Sequence, residues 1–262
     1  MLLILEISNG RTSIALANPN RSPDNGKVWR FSSDTRRTAD ELGLQLDGLL
    51  RRAGVEATAL TGAVIGSVVP NLTSAWADAC RQFSGLETLV VGPGIRTGVK
   101  LRTDDPREVG ADRIANALAV YRGYGGPAVV VDFSTAITFD AVSSDGDYLG
   151  SVITPGIGMT LSALSAGTSR LRSIELRRPR QVIGTSSAGA VQSGVVFGYG
   201  ALVDGVVNRI RAELDGEPRV IATGSEADLV LAETHTIEQV DPHLTLDGLR
   251  MIWELNQRGR ST

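Results

Sequence analysis

One pattern occurs twice in this chain, about half its length apart, and it constrains the fold more than any other feature. The first copy is the apolar run Leu2-Leu3-Ile4-Leu5 with Glu6-Ile7, the turn Ser8-Asn9-Gly10, and a second run from Arg11 through Thr12 to Leu16. The second copy is Ala128-Val129-Val130-Val131 with Asp132-Phe133, the turn Ser134-Thr135, and a run from Ala136 through Thr138 to Val142. Apolar runs of this length bounded by turn residues predict buried strands. A carboxylate at the end of such a strand is costly to desolvate, so it needs a partner or a task. Two such hairpins predict two similar half-domains facing one another, with an acidic, hydroxyl-rich cleft suited to a polyphosphate and its metal.

The rest of the chain alternates strand and helix patterns. Strands are expected at 2–7, 12–17, 63–69, 88–91, 128–132, 136–143, 148–153 and 219–222. Thr38 and Glu41 form a capping-box pattern, and Leu42, Leu46, Leu49 and Leu50 follow at helical spacing up to Gly54. Further helices are expected over 74–83, 109–122, 188–214 and 246–257. The mixture of hairpins and crossovers predicts an α/β fold with mixed sheets flanked by helices. The turn-rich stretch 123–127 is the expected linker between an N-terminal half, 1–122, and a C-terminal half, 128–262. Residues 18–27 are expected to form a surface turn, and the tail after Asn256 to fray.

Composition excludes several classes. A net charge of −3 and a pI near 5.5 leave no dominant basic face for nucleic acid. The basic stretch from Arg170 to Arg180 is discontinuous and suits a solvated face or a phosphate-facing loop. Cys80 is the only cysteine, which rules out an internal disulfide and, with two histidines, argues against a zinc site. The apolar N-terminus is too short for a signal peptide, and no run is expected to span a membrane. A cytoplasmic protein without a membrane partner is the expectation.

Four segments carry chemistry. The turn over Glu6, Ser8, Asn9, Gly10 and Thr12 offers amides and hydroxyls to an anion; a hairpin needing Asn-Gly only for its backbone would look the same. Asp132 to Thr138 repeats the arrangement. In Gly110-Ala111-Asp112-Arg113, Asp112 suits a general base, or it simply complements a helix dipole, and Arg113 suits an anionic substrate group. Thr223-Gly224-Ser225 is a small-residue turn after a strand, open to a ring or a phosphate.

Together these segments resemble type III pantothenate kinases, members of the actin-like superfamily of sugar kinases and chaperone ATPases. The specific matches are Gly92 to Gly98, Glu108 to Arg113, Val129 to Phe133, Pro155 to Gly158, Gln192 to Gly194 and Leu244 to Arg250. The resemblance implies two duplicated actin-like (ribonuclease H-like) halves, a homodimer, and ATP-dependent phosphorylation of pantothenate to 4'-phosphopantothenate, the first step of coenzyme A synthesis. It implies Asp112 as proton acceptor, and Gly110, Ala111, Asp112, Arg113 and Ser187 as pantothenate contacts. It places ATP on Glu6, Ser8, Asn9, Gly10, Thr12 and Thr135, with Glu6 near the magnesium-nucleotide, and a monovalent cation, potassium or ammonium, on Asp132.

The chain departs from that family at the phosphate turns. Glu6 stands for an aspartate, and Ser8, Ser134 and Ser225 stand for glycines; Ile137 stands for a threonine. On the acceptor side, Gly184-Thr185-Ser186-Ser187 lacks a lysine and Thr103 replaces a tyrosine. If the glycine positions required positive φ or lay against phosphate, each serine would cost on the order of 1 kcal/mol or more in strain or lost contact. The alternatives are therefore a homologue that holds a ligand without turnover, or a kinase for another hydroxylated substrate.

Overall fold

The computed structural model describes residues 1–18, 21–23, 27–167, 174–225 and 228–257. Parts of the expected turn at 18–27, of the Arg170–Arg180 stretch and of the frayed tail lie outside the described residues. The chain forms two compact units. The first comprises residues 1–99, 104–119 and those from 243 on; the second comprises 100–103 and 120–242.

In the first unit, β1 (Leu2–Ile7) is the middle strand of a five-stranded sheet. It pairs antiparallel with β2 (Arg11–Ala17), which pairs with β3 (Val28–Ser32). On its other side it runs parallel to β4 (Gly62–Ser67), which pairs with β5 (Thr88–Val90). Leu2, Leu3, Ile4 and Leu5 are all fully buried, as expected of a central strand covered on both faces. Burying each such side chain contributes about 1.5–3 kcal/mol.

Three helices pack on this sheet. Helix α1 (Ala39–Arg52) starts at the expected capping box: the Thr38 hydroxyl accepts from the Glu41 amide, and the Glu41 carboxylate accepts from the Thr38 amide. Helix α2 (Pro70–Ser84) starts four residues earlier than the expected 74, because Pro70 supplies a pre-set first helical φ. It buries Trp76 and Cys80 and ends at Gly85, whose φ is +64°. Burial pushes the Cys80 thiol up to about 12, in keeping with its expected core role. Helix α7 (Leu244–Gln257) lays Leu249 against Gly66 and Trp253 against Gly62.

The second sheet repeats the first. Its order is β10-β9-β6-β7-β8, matching β5-β4-β1-β2-β3 strand for strand. The strands are β6 (Ala128–Phe133), β7 (Ala136–Val142), β8 (Tyr148–Pro155), β9 (Arg219–Gly224) and β10 (Gln239–Val240). Central strands β1 and β6 share one burial pattern, in which only the carboxylate, Glu6 or Asp132, is part-exposed. The repeat seen in the sequence is therefore a repeat of topology and register.

Helix α3 (Ala111–Tyr124) begins in the first unit and ends in the second, where α4 (Ile157–Gly167), α5 (Ser187–Glu213) and the short α6 (Asp228–Leu231) follow. By length and composition α5 is apolar enough to cross a membrane, with a mean hydropathy of 1.4 over its most apolar window, contrary to the expectation that no run would be. It serves as a core helix: Val195, Tyr199, Val203 and Val207 pack on β6, β7 and β9.

The units divide the chain otherwise than the expected 1–122 and 128–262. The chain leaves the first unit inside α3, and α7 belongs to the first unit because its apolar face is buried on β1 and β4. Strands β3 and β10 and helix α4 were not expected.

Candidate active site

In the first unit the structure gathers the Glu6 turn and the start of α3. Glu6 is opposite Ser13 on β2 and beside Gly66 on β4. Its carboxyl is held above the usual range, chiefly by burial and also by the negative charge of Asp112. A hydrogen bond from the Ser13 hydroxyl and the charges of Arg11 and Arg30 act the other way. Ser13 was missed as a site residue. The register of the hairpin closed by Asn9-Gly10 would have placed it opposite the carboxylate.

The raised Glu6 carboxyl has a measurable consequence. In the unfolded chain it ionises around 4.5, whereas in the folded chain it ionises at higher pH. Its contribution to stability is thus complete below about pH 4.5 and is lost as pH rises through the folded value. Glu6→Gln should therefore raise the melting temperature of the ligand-free protein at pH 7 and give no gain near pH 4. Equal gains at both pH values would show that ionisation of Glu6 is not the cause.

The serine in the first turn is not strained. Among the described residues no non-glycine has positive φ, so the strain expected at Ser8, Ser134 and Ser225 is absent. The Ser8 hydroxyl donates to the Arg11 carbonyl at 2.9 Å and accepts from the Arg11 amide at 3.3 Å. Ser134 closes its own turn in the same way, donating from its hydroxyl to the Ala136 carbonyl at 3.1 Å. Asn9 and Gly10 stand exposed at the turn tip. Thr12 is buried, and its hydroxyl is paired with that of Ser33 at 2.9 Å.

Asp112 lies in the first turn of α3. Its Oδ1 accepts from the Arg113 amide at 2.8 Å. The Arg113 guanidinium donates to the Glu108 carbonyl at 2.9 Å. A Cβ on Gly110 would come within 2.4 Å of Asp112 Oδ1, so this glycine leaves room for the carboxylate. The amides of Ala111 to Arg113 open the helix, a setting that favours an anionic ligand. Helix α7 steadies this end: Thr245 donates to the buried Asn116 at 2.8 Å, and Gly248 packs directly on the Ala115 carbonyl. The neighbouring segment Gly92–Gly98 is tied to α7 as well, through Asn256 and both backbone groups of Arg96.

In the second unit, Asp132 on β6 is opposite Thr138 on β7 and beside Thr223 on β9. Directly paired residues share a sheet face, so one carboxylate and two hydroxyl oxygens lie at one level of one face. This oxygen-only set suits a hard cation. Among the described residues no three His, Cys, Asp or Glu side chains are grouped for a metal.

Two glycines hold the exposed Thr135 turn. Gly156 donates its amide to the Thr135 carbonyl at 3.1 Å, and a Cβ there would lie 2.3 Å from that oxygen. Gly224, at φ +96°, packs on the Phe133 backbone, and Ser225 donates its amide to the Phe133 carbonyl at 3.0 Å. Ser187 is exposed in the first turn of α5, where Ser186 caps the helix by accepting from the Gly189 amide.

The twin sheets, each with a carboxylate on its central strand beside a tight turn, define the class: the actin-like fold of ATPases and sugar kinases. Solved structures agree on the fold. An activator of 2-hydroxyisocaproyl-CoA dehydratase from Clostridium difficile, bound to ADPNP, aligns with a TM-score of 0.60 at 11% identity over 100% of this chain and 97% of its own. An inorganic polyphosphate/ATP-glucomannokinase from Arthrobacter sp. strain KM aligns with a TM-score of 0.53 at 16% identity over 97% and 98%.

Sequence relationships narrow the class. A family model described as type III pantothenate kinase matches residues 2–209. The type III pantothenate kinase of Moorella thermoacetica is 46% identical over 87% of this chain and 90% of its own. That of Streptomyces coelicolor is 46% identical over 98% of each. The chain belongs to the type III pantothenate kinase family.

Proposed function

We propose that this protein transfers the γ-phosphoryl group of ATP to the terminal hydroxyl of pantothenate, giving 4'-phosphopantothenate and ADP at the entry to coenzyme A synthesis. The observation that carries this reading is Asp112 at the α3 N-terminus, in the same unit as the Glu6 turn and electrostatically coupled to it, in a chain of this family. Asp112 accepts the proton of the attacking hydroxyl, and Gly110, Ala111, Arg113 and Ser187 position pantothenate. Glu6 faces the nucleotide's divalent metal, while Ser8, Asn9 and Gly10 of the first turn and Thr135 of the second hold phosphates. Thr12 shapes the first turn from beneath, since its hydroxyl is committed to Ser33. Phosphoryl transfer depends mainly on such positioning and charge neutralisation.

Asp132, with Thr138 and Thr223, is proposed to hold a monovalent cation, potassium or ammonium, which supplies positive charge beside the phosphates. The acceptor is a small molecule, and the net charge of −3 accords with the absence of a nucleic-acid partner. Helix α5 covers its own sheet rather than a membrane, which supports a cytoplasmic location. A homodimer is proposed through the second unit, where Leu149 and Ile153 on β8 and Met159 on α4 are exposed. Sedimentation equilibrium at a one-chain mass would remove that part of the proposal.

The test of function is ADP release with pantothenate, magnesium and either potassium or sodium. Turnover should require pantothenate and rise with potassium. ADP release independent of pantothenate would overturn the reading. The serines at the phosphate turns fit their backbones without strain, which removes one of the two grounds for a non-catalytic homologue. Obstruction of phosphate by their side chains is the other, and Ser8→Gly with Ser134→Gly should raise turnover if it operates.

A further inference from the structure

The two copies of the hairpin differ at one position that their shared register makes comparable. Glu6 faces Ser13 as Asp132 faces Thr138, and two residues further along the second strand stand Ala15 and Asp140. In the first copy no carboxylate stands at Ala15 to take the Ser13 hydrogen, so that hydroxyl remains a donor opposite Glu6. In the second, the Thr138 hydroxyl donates to Asp140 Oδ2 at 2.9 Å. Asp140 is fully buried and also accepts from the Tyr148 hydroxyl, at Oδ1, at 2.9 Å.

A threonine hydroxyl has one hydrogen and two lone pairs. Once its hydrogen is given to Asp140, Thr138 offers only lone pairs to the level of Asp132. The first copy thus pairs its carboxylate with a hydrogen donor, and the second pairs its carboxylate with an acceptor. Two oxygens that both lack a donor hydrogen accommodate a cation between them better than each other. We propose that Asp140 is a positioning residue: by taking the Thr138 proton, it turns the second hairpin into the cation-binding one. The inference rests on the reading of Asp132 as the monovalent-cation position. Outer partners of metal ligands commonly alter affinity tenfold or more when changed, which is the scale expected here.

The experiment is a titration of the full-length protein with thallium(I), a potassium mimic, followed by thallium NMR, beside the potassium activation constant of turnover. Asp140→Asn puts a donor where one of two acceptors stood. With its amide nitrogen toward Thr138, that hydroxyl becomes the acceptor and frees its hydrogen. Asp140→Leu, which leaves no acceptor whichever way an amide would turn, carries the same expectation. Either change should weaken thallium binding about tenfold and raise the potassium constant equally. Thr138→Val should weaken binding comparably, and Asp140→Asn should add less than about twofold on top of it, since one acts through the other. Tyr148→Phe leaves the Thr138 bond in place and should stay within about twofold of the native protein, which controls for general disturbance of the buried cluster. Should Asp140→Asn fail to fold, the double change Asp140→Leu with Tyr148→Phe replaces both ends of the Asp140–Tyr148 contact by apolar groups of similar shape and carries the same expectation. Native-like binding by the Asp140 variants, or effects that multiply with Thr138→Val, would overturn the inference alone. Native-like binding by Asp132→Asn would overturn the reading beneath it.

Discussion

Asp112→Asn should lower kcat by roughly 10²–10⁴-fold, the usual contribution of a positioned general base, while the KM values for ATP and pantothenate change far less. The substitution isolates proton acceptance because it preserves shape. An amide oxygen can still accept from the Arg113 amide, so the first turn of α3 keeps its local hydrogen bond. Steady-state ADP release under saturating substrates measures the effect. Activity within about tenfold of the native protein would remove Asp112 from the base role. The same variant has a second signature in the ligand-free protein. Asp112 helps to raise the Glu6 carboxyl, so its neutralisation should shrink the loss of stability between acidic and neutral pH. That change is independent of catalysis and verifies that the two carboxylates share one electrostatic environment.

Gly224→Ala should destabilise the protein by about 2–5 kcal/mol, combining the cost of a side chain at positive φ with that of overpacking. The backbone there has φ +96°, and the new Cβ would lie 2.2 Å from the Phe133 carbonyl oxygen and 2.7 Å from its nitrogen. Backbone atoms of a central strand cannot swing aside. Gly43→Ala is the informative comparison: its Cβ would meet the Phe83 ring at 2.1 Å, but that side chain is part-exposed and can rotate. Glycine-to-alanine in a helix also gains about 1 kcal/mol in propensity, so Gly43→Ala should lie near neutral. Urea unfolding of the two variants separates the cases. Similar midpoints would show that the Gly224 contact relaxes at no cost. Because Gly224 pairs with Phe133 and Thr223 with Asp132, Gly224→Ala should also disturb the cation and phosphate positions of the second unit.

Much of the architecture was legible because the signals are local. The runs at Leu2–Ile7 and Ala128–Phe133 are long, apolar and closed by turn residues, and the Thr38–Glu41 box marks a helix start whatever surrounds it. The elements that escaped lack such signals. Strand β3 carries Arg30 and Ser32 on a part-exposed edge, β10 has two residues, and α4 follows Pro155-Gly156 with no Ser, Thr, Asp or Asn directly before it to mark a helix start. The home of α7 was not legible either, because its partners Gly62 and Gly66 lie far away in sequence. At the site, Glu6, Asp112 and Asp132 were visible as carboxylates beside glycine and hydroxyl residues. Ser13 and Asp140 were not, because their meaning depends on cross-strand register. Whether the serines at the phosphate turns are strained was not legible either, because a glycine's conformational freedom matters where the backbone is left-handed, and here that demand falls on Gly224.

Helix α7 belongs to the first unit, yet in the chain it follows every element of the second. Until it emerges from the ribosome, Gly62 and Gly66 have no Trp253 and Leu249 against them, and the Asp112 end of α3 has no Thr245 bonded to Asn116. All of the second unit, by contrast, lies between residues 100 and 242 and is available earlier. Since domains generally fold as units during synthesis, the second sheet can be complete while the first still waits for α7. A product ending before α7 would accordingly carry a finished second sheet beside a first sheet whose Gly62 and Gly66 are uncovered and an α3 whose Asn116 lacks Thr245.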